Sequence, residues 1–144
     1  AFGACRDVTL EYPVAENEGE EDNTYLSYNM VVGNAADSQM AMAFEVLDYA
    51  LLSAPGAPLK QALLDVKAGK DVYGSYDDGI LQPYFTVIAK GSNPDRKEEF
   101  VSVIRQVLGD IVKNGIDRKA VEAGINYFEF RYREADFFLL SEKD

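Results

Sequence analysis

Alternating apolar and polar positions predict three β-strands in the middle of the chain. In residues 24–32 (TYLSYNMVV) every second position carries a large apolar side chain, which is typical of a half-buried strand with one wetter face. Residues 71–76 and 84–90 are also rich in β-branched and aromatic residues. The Asp77-Asp78-Gly79 sequence between them indicates a turn that joins two antiparallel strands.

The first part of the chain predicts a short strand followed by an acidic loop. Val8–Tyr12 (VTLEY) reads as an edge or entering strand that ends at Pro13, because proline has no N–H to donate to a strand ladder. Residues 13–22 then concentrate like charges around Gly19, which favours a solvated loop. The loop lacks the EF-hand spacing, so its carboxylates do not predict a calcium site.

Apolar residues recur at helical spacing in four other stretches. Asp37 or Ser38 is expected to cap the first helix, Pro58 to begin a short second helix that ends at Gly69, and Asn93 to cap a long third helix that ends at Asn114-Gly115. An Asp117 cap begins the fourth. The predicted buried faces are Met40, Phe44, Leu47 and Leu51; Leu59, Leu63 and Val66; Phe100, Ile104, Val107 and Ile111; and Val121, Ile125, Phe128 and Tyr132.

This order of elements predicts an α+β fold with a mainly antiparallel sheet and helices packed on one of its faces. We expect one domain over residues 1–144, with its core between about residues 23 and 136. The other sheet face is then free. The sequence ends in Phe137, Phe138, Leu139 and Leu140, so we expect these side chains to dock on something or the polypeptide to continue. Because the sequence begins with Ala1, we treat it as a piece of a longer protein.

Composition removes several classes of function. With 14 basic and 25 acidic residues the net charge is −11, which disfavours nucleic acid and anionic membranes as partners. Cys5 is the only cysteine and there is no histidine, which excludes an internal disulfide, a four-cysteine zinc site and the Ser-His and Cys-His dyads. No apolar run is long enough to span a bilayer. The single cysteine favours a cytoplasmic location.

Four stretches together resemble a domain of the insulinase-type, or pitrilysin-like, zinc metallopeptidases, and in particular the presequence-protease branch. They are residues 25–32, FEVLDYALLSAPGAPLKQALLD at 44–65, VYGSYDDGILQPYFTVIAKG at 72–91 and AVEAGINYFEFRYREAD at 120–136. The resemblance implies the fold of LuxS-like metallohydrolases and the second, noncatalytic domain of the N-terminal half. It departs from relatives at Val66-Lys67-Ala68, where a glycine-containing turn is expected, and after Asp136, where the domain is expected to be incomplete.

The resemblance also implies a function. The family's H-x-x-E-H zinc motif matches no position here, so no catalytic or metal-binding residue is expected in this chain, and zinc would be held elsewhere in the parent polypeptide. The domain would then help to enclose unstructured peptides in a closed chamber, beside adjoining domains of the same polypeptide. We expect the wetter strand faces, with Tyr25, Ser27, Asn29, Tyr84 and Thr86, to line that chamber. We also expect the isolated chain neither to hold zinc nor to cleave peptides.

Three alternatives remain at this stage. The chain could belong to a catalytically inactive assembly subunit related to processing peptidases, or to an unrelated small-ligand-binding α+β module. An independent enzyme could use Asp77, Asp78 or Glu129 as acid and base, but acids at turn positions more often bond their own backbone. An incomplete sheet edge would also favour self-association of the fragment.

Overall fold

The computed structural model describes residues 4–141, with side chains through residue 135. Three strands form one antiparallel sheet in the order β1 (Thr24–Val31), β3 (Tyr84–Ser92), β2 (Asp71–Asp77). The main helices are α1 (Ser38–Asp48), α2 (Pro58–Asp65), α3 (Lys97–Asn114) and α4 (Arg118–Ser141). A π-helical turn, Tyr49–Ser53, continues α1, and a 3₁₀ turn, Pro94–Arg96, precedes α3. The α+β fold with helices on one sheet face is confirmed.

The hydrophobic core lies between this sheet and the helices. Val87 at the centre of β3 is fully buried, as are Leu59 and Leu63 of α2 and Ile104 of α3. These positions follow the predicted periodicities of two along strands and about four along helices. The apolar stripes therefore converge on one sheet face. No helix within residues 4–141 covers the opposite face, which is called the outer face below. The core cluster consists of Leu26, Leu51, Leu52, Leu59, Leu63, Ala68, Val72, Phe85, Val87, Ala89, Phe100 and Ile104.

Local signals fix most element boundaries as expected. The Asp37 carboxylate accepts the N–H of Met40 at 3.0 Å and caps α1. Pro58 is the first residue of α2, and the Asp117 carboxylate accepts the N–H of Lys119 at 3.0 Å at the start of α4. Helix α3 ends at Asn114 before Gly115, which has a positive φ.

Helix α2 ends at Asp65, and Lys67 turns the chain out of the helix, whereas the sequence predicted the helix end at Gly69. Lys67 has a φ of +54°, and the N–H groups of Ala68 and Lys67 bond the carbonyls of Leu63 and Leu64, both at 2.9 Å. This pair of bonds is a Schellman motif, in which a lysine occupies the left-handed position that glycine usually takes. The chain thus makes this turn without glycine, at the cost of a strained left-handed backbone at Lys67.

The predicted edge strand at Val8–Tyr12 is wrong. Val8–Tyr12 forms no strand and pairs with no strand of the described residues. For the third helix, Asn93 is the N-cap residue of the 3₁₀ turn that leads into α3 and Pro94 is in the first turn, but the expected side-chain cap is not formed. The Asn93 side chain instead accepts the N–H of Asp22 at 2.9 Å and donates to the Asp22 carboxylate at 2.8 Å. This contact holds the end of the acidic loop, residues 13–22, against the sheet, and with Lys70 it lowers the pKa of Asp22.

The last helix buries a narrower face than predicted. Ile125 is 50% exposed, and Gly124 is the buried residue through which α4 packs against the π-helical turn. A Cβ at Gly124 would lie 3.2 Å from side-chain atoms of Tyr49 and Val46, so the missing side chain permits this approach. The predicted docking of Phe137, Phe138, Leu139 and Leu140 concerns side chains outside the described ones.

Candidate functional site

The outer face of the sheet is the candidate site because strand register brings most of the predicted residues together there. In the β1–β3 ladder Ser27 lies opposite Ile88, and Asn29 lies opposite Thr86. In the β2–β3 ladder Tyr73 and Ser75 lie opposite the same two β3 residues. Ser27 and Asn29 are exposed, so no described helix covers them, as the sequence predicted.

Three of the five predicted residues form a hydrogen-bonded row across β1 and β3. The Thr86 hydroxyl donates to the Asn29 amide oxygen at 2.8 Å, and the Asn29 amide nitrogen donates to the Ser27 hydroxyl at 3.0 Å. Thr86 was predicted to lie on a wetter surface, but it is only 5% exposed. It sits on the central strand with a neighbour on each side, so Asn29 and Ser27 present the polar surface.

Tyr84 lies at the end of β3 and belongs to a different hydrogen-bonded group. Its phenol donates to the Asp77 carboxylate at 3.1 Å. This bond and the negative charge of Asp77 raise the pKa of Tyr84 above its ordinary value, because the neutral phenol is the hydrogen-bonded form. The other carboxylate oxygen of Asp77 accepts the N–H of Gly79 at 2.9 Å, so Asp77 acts as a turn residue.

Tyr25 lies at the opposite end of β1, apart from the hydrogen-bonded row. The register is irregular between Thr24 and Leu26, and the Lys90 ammonium lies 5.9 Å from the centre of the Tyr25 ring. The ring of Tyr12 meets that of Tyr25 edge-on at 6.0 Å. This corner is therefore an aromatic and cationic patch, whereas the centre of the outer face is hydroxyl and amide.

Four further residues belong to the outer face besides the five predicted to line it. Val31 is 49% exposed, Tyr73 is also exposed, Ser75 is exposed and Ile88 is half-buried. Their alternation within each strand was the available signal, but only the register shows that they adjoin Asn29 and Thr86. The face therefore combines polar groups with apolar and aromatic side chains.

The described residues of the outer face do not form a metal site. Among the described residues, no group of three or more His, Cys, Asp or Glu side chains could hold a metal ion. The sequence has no histidine, so it cannot supply the imidazole ligands of the expected zinc motif. What the outer face offers is hydrogen-bonding hydroxyl, amide and phenol groups beside apolar surface. No described helix is long and apolar enough to cross a bilayer.

Comparison with known proteins identifies the family to which these features correspond. The family model described as "Peptidase M16 inactive domain" matches residues 5–128. Protein HypA of Clostridium perfringens is 40% identical over 137 residues, and presequence protease 1 of Arabidopsis thaliana, a chloroplastic and mitochondrial protein, is 29% identical over 126 residues. The match covers 95% of the chain and 14% of HypA, and 86% of the chain and 12% of the Arabidopsis protein.

A solved structure supports the same fold. The inactive peptidase domain of a protein described as a zinc protease, from Bordetella parapertussis, superposes with a TM-score of 0.65 at 14% sequence identity. The match covers 76% of this chain and 60% of that domain. The chain thus spans about one seventh of the curated relatives and over half of the neighbouring domain.

Proposed function

Because this chain belongs to the peptidase M16 family as an inactive-type domain, we propose that it forms part of the wall of a closed chamber in a zinc-dependent peptidase that degrades unstructured peptides. The zinc and the catalytic groups would lie in another domain of the same polypeptide. Its immediate partners would be the adjoining domains of the parent polypeptide and, inside the chamber, the peptide substrate.

The observation that carries this proposal is the uncovered outer face. Ser27, Asn29 and Tyr73 expose hydroxyl, amide and phenol groups without a formal charge, although the chain as a whole carries −11. Such groups can donate to and accept from peptide backbones of any sequence. Exposed apolar neighbours such as Val31 add contacts for side chains. A surface of this kind suits transient contact with extended peptides of varied sequence.

A photo-crosslinking experiment on the parent polypeptide tests the proposal. Ser27 is replaced by p-benzoylphenylalanine, and the protein is irradiated with a long unstructured peptide under conditions that stop cleavage. The control carries the same residue at Gln106, which is exposed on α3 at the opposite side of the sheet. We expect peptide to attach at position 27 and not at position 106. Equal labelling, or labelling at position 106 alone, would contradict a chamber-facing outer face.

Family membership also bears on the alternative functions. It excludes the alternative that the chain is an unrelated small-ligand-binding α+β module. A catalytically inactive assembly subunit stays open, and the presence or absence of H-x-x-E-H in the parent polypeptide distinguishes it from the peptidase. A cytoplasmic location stays a prediction, since the Arabidopsis relative is a chloroplast and mitochondrial protein.

A further inference from the structure

Helix α4 exposes an apolar stripe on one of its sides. Ala123, Tyr127 and Phe130 recur at the i, i+4, i+7 spacing that places three side chains on one side of a helix. All three are exposed, Tyr127 to 43% and Phe130 to 62%. The helix packs on the rest of the chain through another side, with the buried Gly124 and the half-buried Phe128. Ala123, Tyr127 and Phe130 are called the α4 stripe below.

A third side of α4 has the composition of a solvated surface. Arg118 pairs with Glu122 at 2.9 Å, and Arg133 pairs with Glu129, in both cases at the i, i+4 spacing. Helical spacing places the exposed Asn126 on this same charged side. Helix α4 therefore has one packed side, one charged side and one side that is apolar but exposed. A side that met only water would be expected to be polar, so the α4 stripe indicates contact with another part of the protein.

The relatives have additional chain that could cover the α4 stripe. The match covers 60% of the neighbouring inactive peptidase domain, so two fifths of that domain have no counterpart in the match. Within the described residues α4 packs mainly on α1 and on the π-helical turn, which makes it a peripheral helix. Further parts of the domain can therefore join at α4 without displacing any described element.

We propose that the α4 stripe is the docking surface for the part of the same inactive-type domain that lies outside residues 1–144 in the parent polypeptide. The docking segment would bury Tyr127 and Phe130, because aromatic side chains dominate the energetics of such contacts. A second copy of the chain is a poorer occupant, because each copy carries a net charge of −11. The peptide substrate is proposed to contact the outer face instead, so this inference does not depend on the proposed function.

Photo-crosslinking within the parent polypeptide tests which segment covers the α4 stripe. p-Benzoylphenylalanine replaces Phe130, and the control carries it at Asn126, on the charged side of the same helix. The protein is irradiated without peptide, and the attached residues of the monomer band are identified by digestion and mass spectrometry. We expect position 130 to attach to residues of the same domain outside 1–144, and position 126 to attach to none of them. No attachment at position 130, or attachment to another domain or to a second molecule, would overturn the proposal.

A charge placed in the α4 stripe gives a second, independent test. In the 144-residue chain Phe130 is exposed, so we expect Phe130→Asp to change the thermal midpoint by no more than about 2 °C. In the parent polypeptide the same substitution should lower the midpoint of this domain by more than that, because the new carboxylate would be buried at the contact. Asn126→Asp is the matched control and should leave both midpoints unchanged. Equal effects of Phe130→Asp in the chain and in the parent polypeptide would overturn the proposal.

Discussion

Replacing Gly74 with alanine is the sharpest test of how the sheet packs against the helices. Gly74 lies in β2, and a Cβ there would lie 2.3 Å from both the Asp48 Oδ1 atom and the Leu52 Cδ1 atom, and 3.2 Å from the Thr86 carbonyl oxygen. The φ of Gly74 is not positive, so the cost of the substitution is steric. Leu52 is 1% exposed and belongs to the core cluster, so it cannot turn into solvent to relieve the clash.

The magnitude follows from the number of atoms that must move. Overpacking a filled core typically costs about 1–3 kcal/mol, and two tightly placed side chains put Gly74→Ala near the upper limit, at about 3 kcal/mol. For a chain of this size that loss lowers Tm by roughly 10 °C. We expect urea unfolding followed by circular dichroism to show the corresponding fall in midpoint without a change in slope.

Gly109→Ala is the matched control. Gly109 lies within α3, and a Cβ there would meet no atom within 4 Å. The same substitution should therefore stabilise the chain by up to about 1 kcal/mol, through helix propensity alone. In a Leu52→Ala background the cost of Gly74→Ala should fall by about 1 kcal/mol, because one of the two clashing atoms is gone. A Gly74→Ala variant as stable as the unmodified chain would refute this account of the sheet–helix contact.

Two further predictions concern Asp48 and Lys67. The Asp48 Oδ1 atom is buried without a partner, and desolvation raises the pKa of Asp48 from 3.8 despite a hydrogen bond with Ser53. The folded chain therefore holds this proton more tightly than the unfolded chain, and it loses stability as pH rises from 3.8 through the folded pKa. We expect Asp48→Asn to be about 1 kcal/mol more stable than the unmodified chain at pH 7, measured by urea unfolding. If the substitution leaves the pH dependence of the unfolding free energy unchanged, this account of Asp48 is wrong. Lys67→Gly should raise the free energy of unfolding by roughly 0.5–1 kcal/mol, because glycine adopts the left-handed conformation of residue 67 without strain. The control Lys113→Gly, inside α3, should lower the free energy of unfolding by about 1 kcal/mol. Equal changes of both variants in thermal melts would show that residue 67 is not strained.

The sequence predicts those parts of the fold that depend on local pattern. The two faces of β1 follow from the alternation of Leu26 and Met30 with Ser27 and Asn29, and the cap at Asp37 follows from side-chain chemistry. Tertiary contacts decide the features that were missed. The π-helical turn after α1 lies where Asp48 and Leu52 meet Gly74, residues that are distant in the sequence.

The candidate site shows the same division. The alternation along β1 predicted that Ser27 and Asn29 lie on an open face. Thr86 is buried because its strand, β3, lies between β1 and β2, and the sequence did not specify the register of these strands. In α4 a period of about 3.6 residues favoured Ile125, whereas contact is closest at Gly124, because a residue without a side chain lets the helix approach. Sequence period thus predicts which side of an element is buried, and packing decides which residue on that side is closest.

The distribution of charge links the outer face to its proposed role. Charged residues number 39 of 144 in this chain, as 14 basic plus 25 acidic, yet the neighbouring outer-face positions Ser27, Asn29, Ser75, Thr86 and Ile88 carry none. A face that only needed solubility would be expected to share the acidic character of the rest of the chain. The charged residues of this face, Asp71, Asp77 and Lys90, lie at its ends, so only its centre is uncharged. An uncharged centre would suit the partner that we propose, an extended peptide of variable charge. We therefore expect Asn29→Asp in the parent polypeptide to weaken the binding of acidic peptides more than that of basic peptides. Equal effects on the binding of both peptides would show that charge on the outer face does not influence peptide binding.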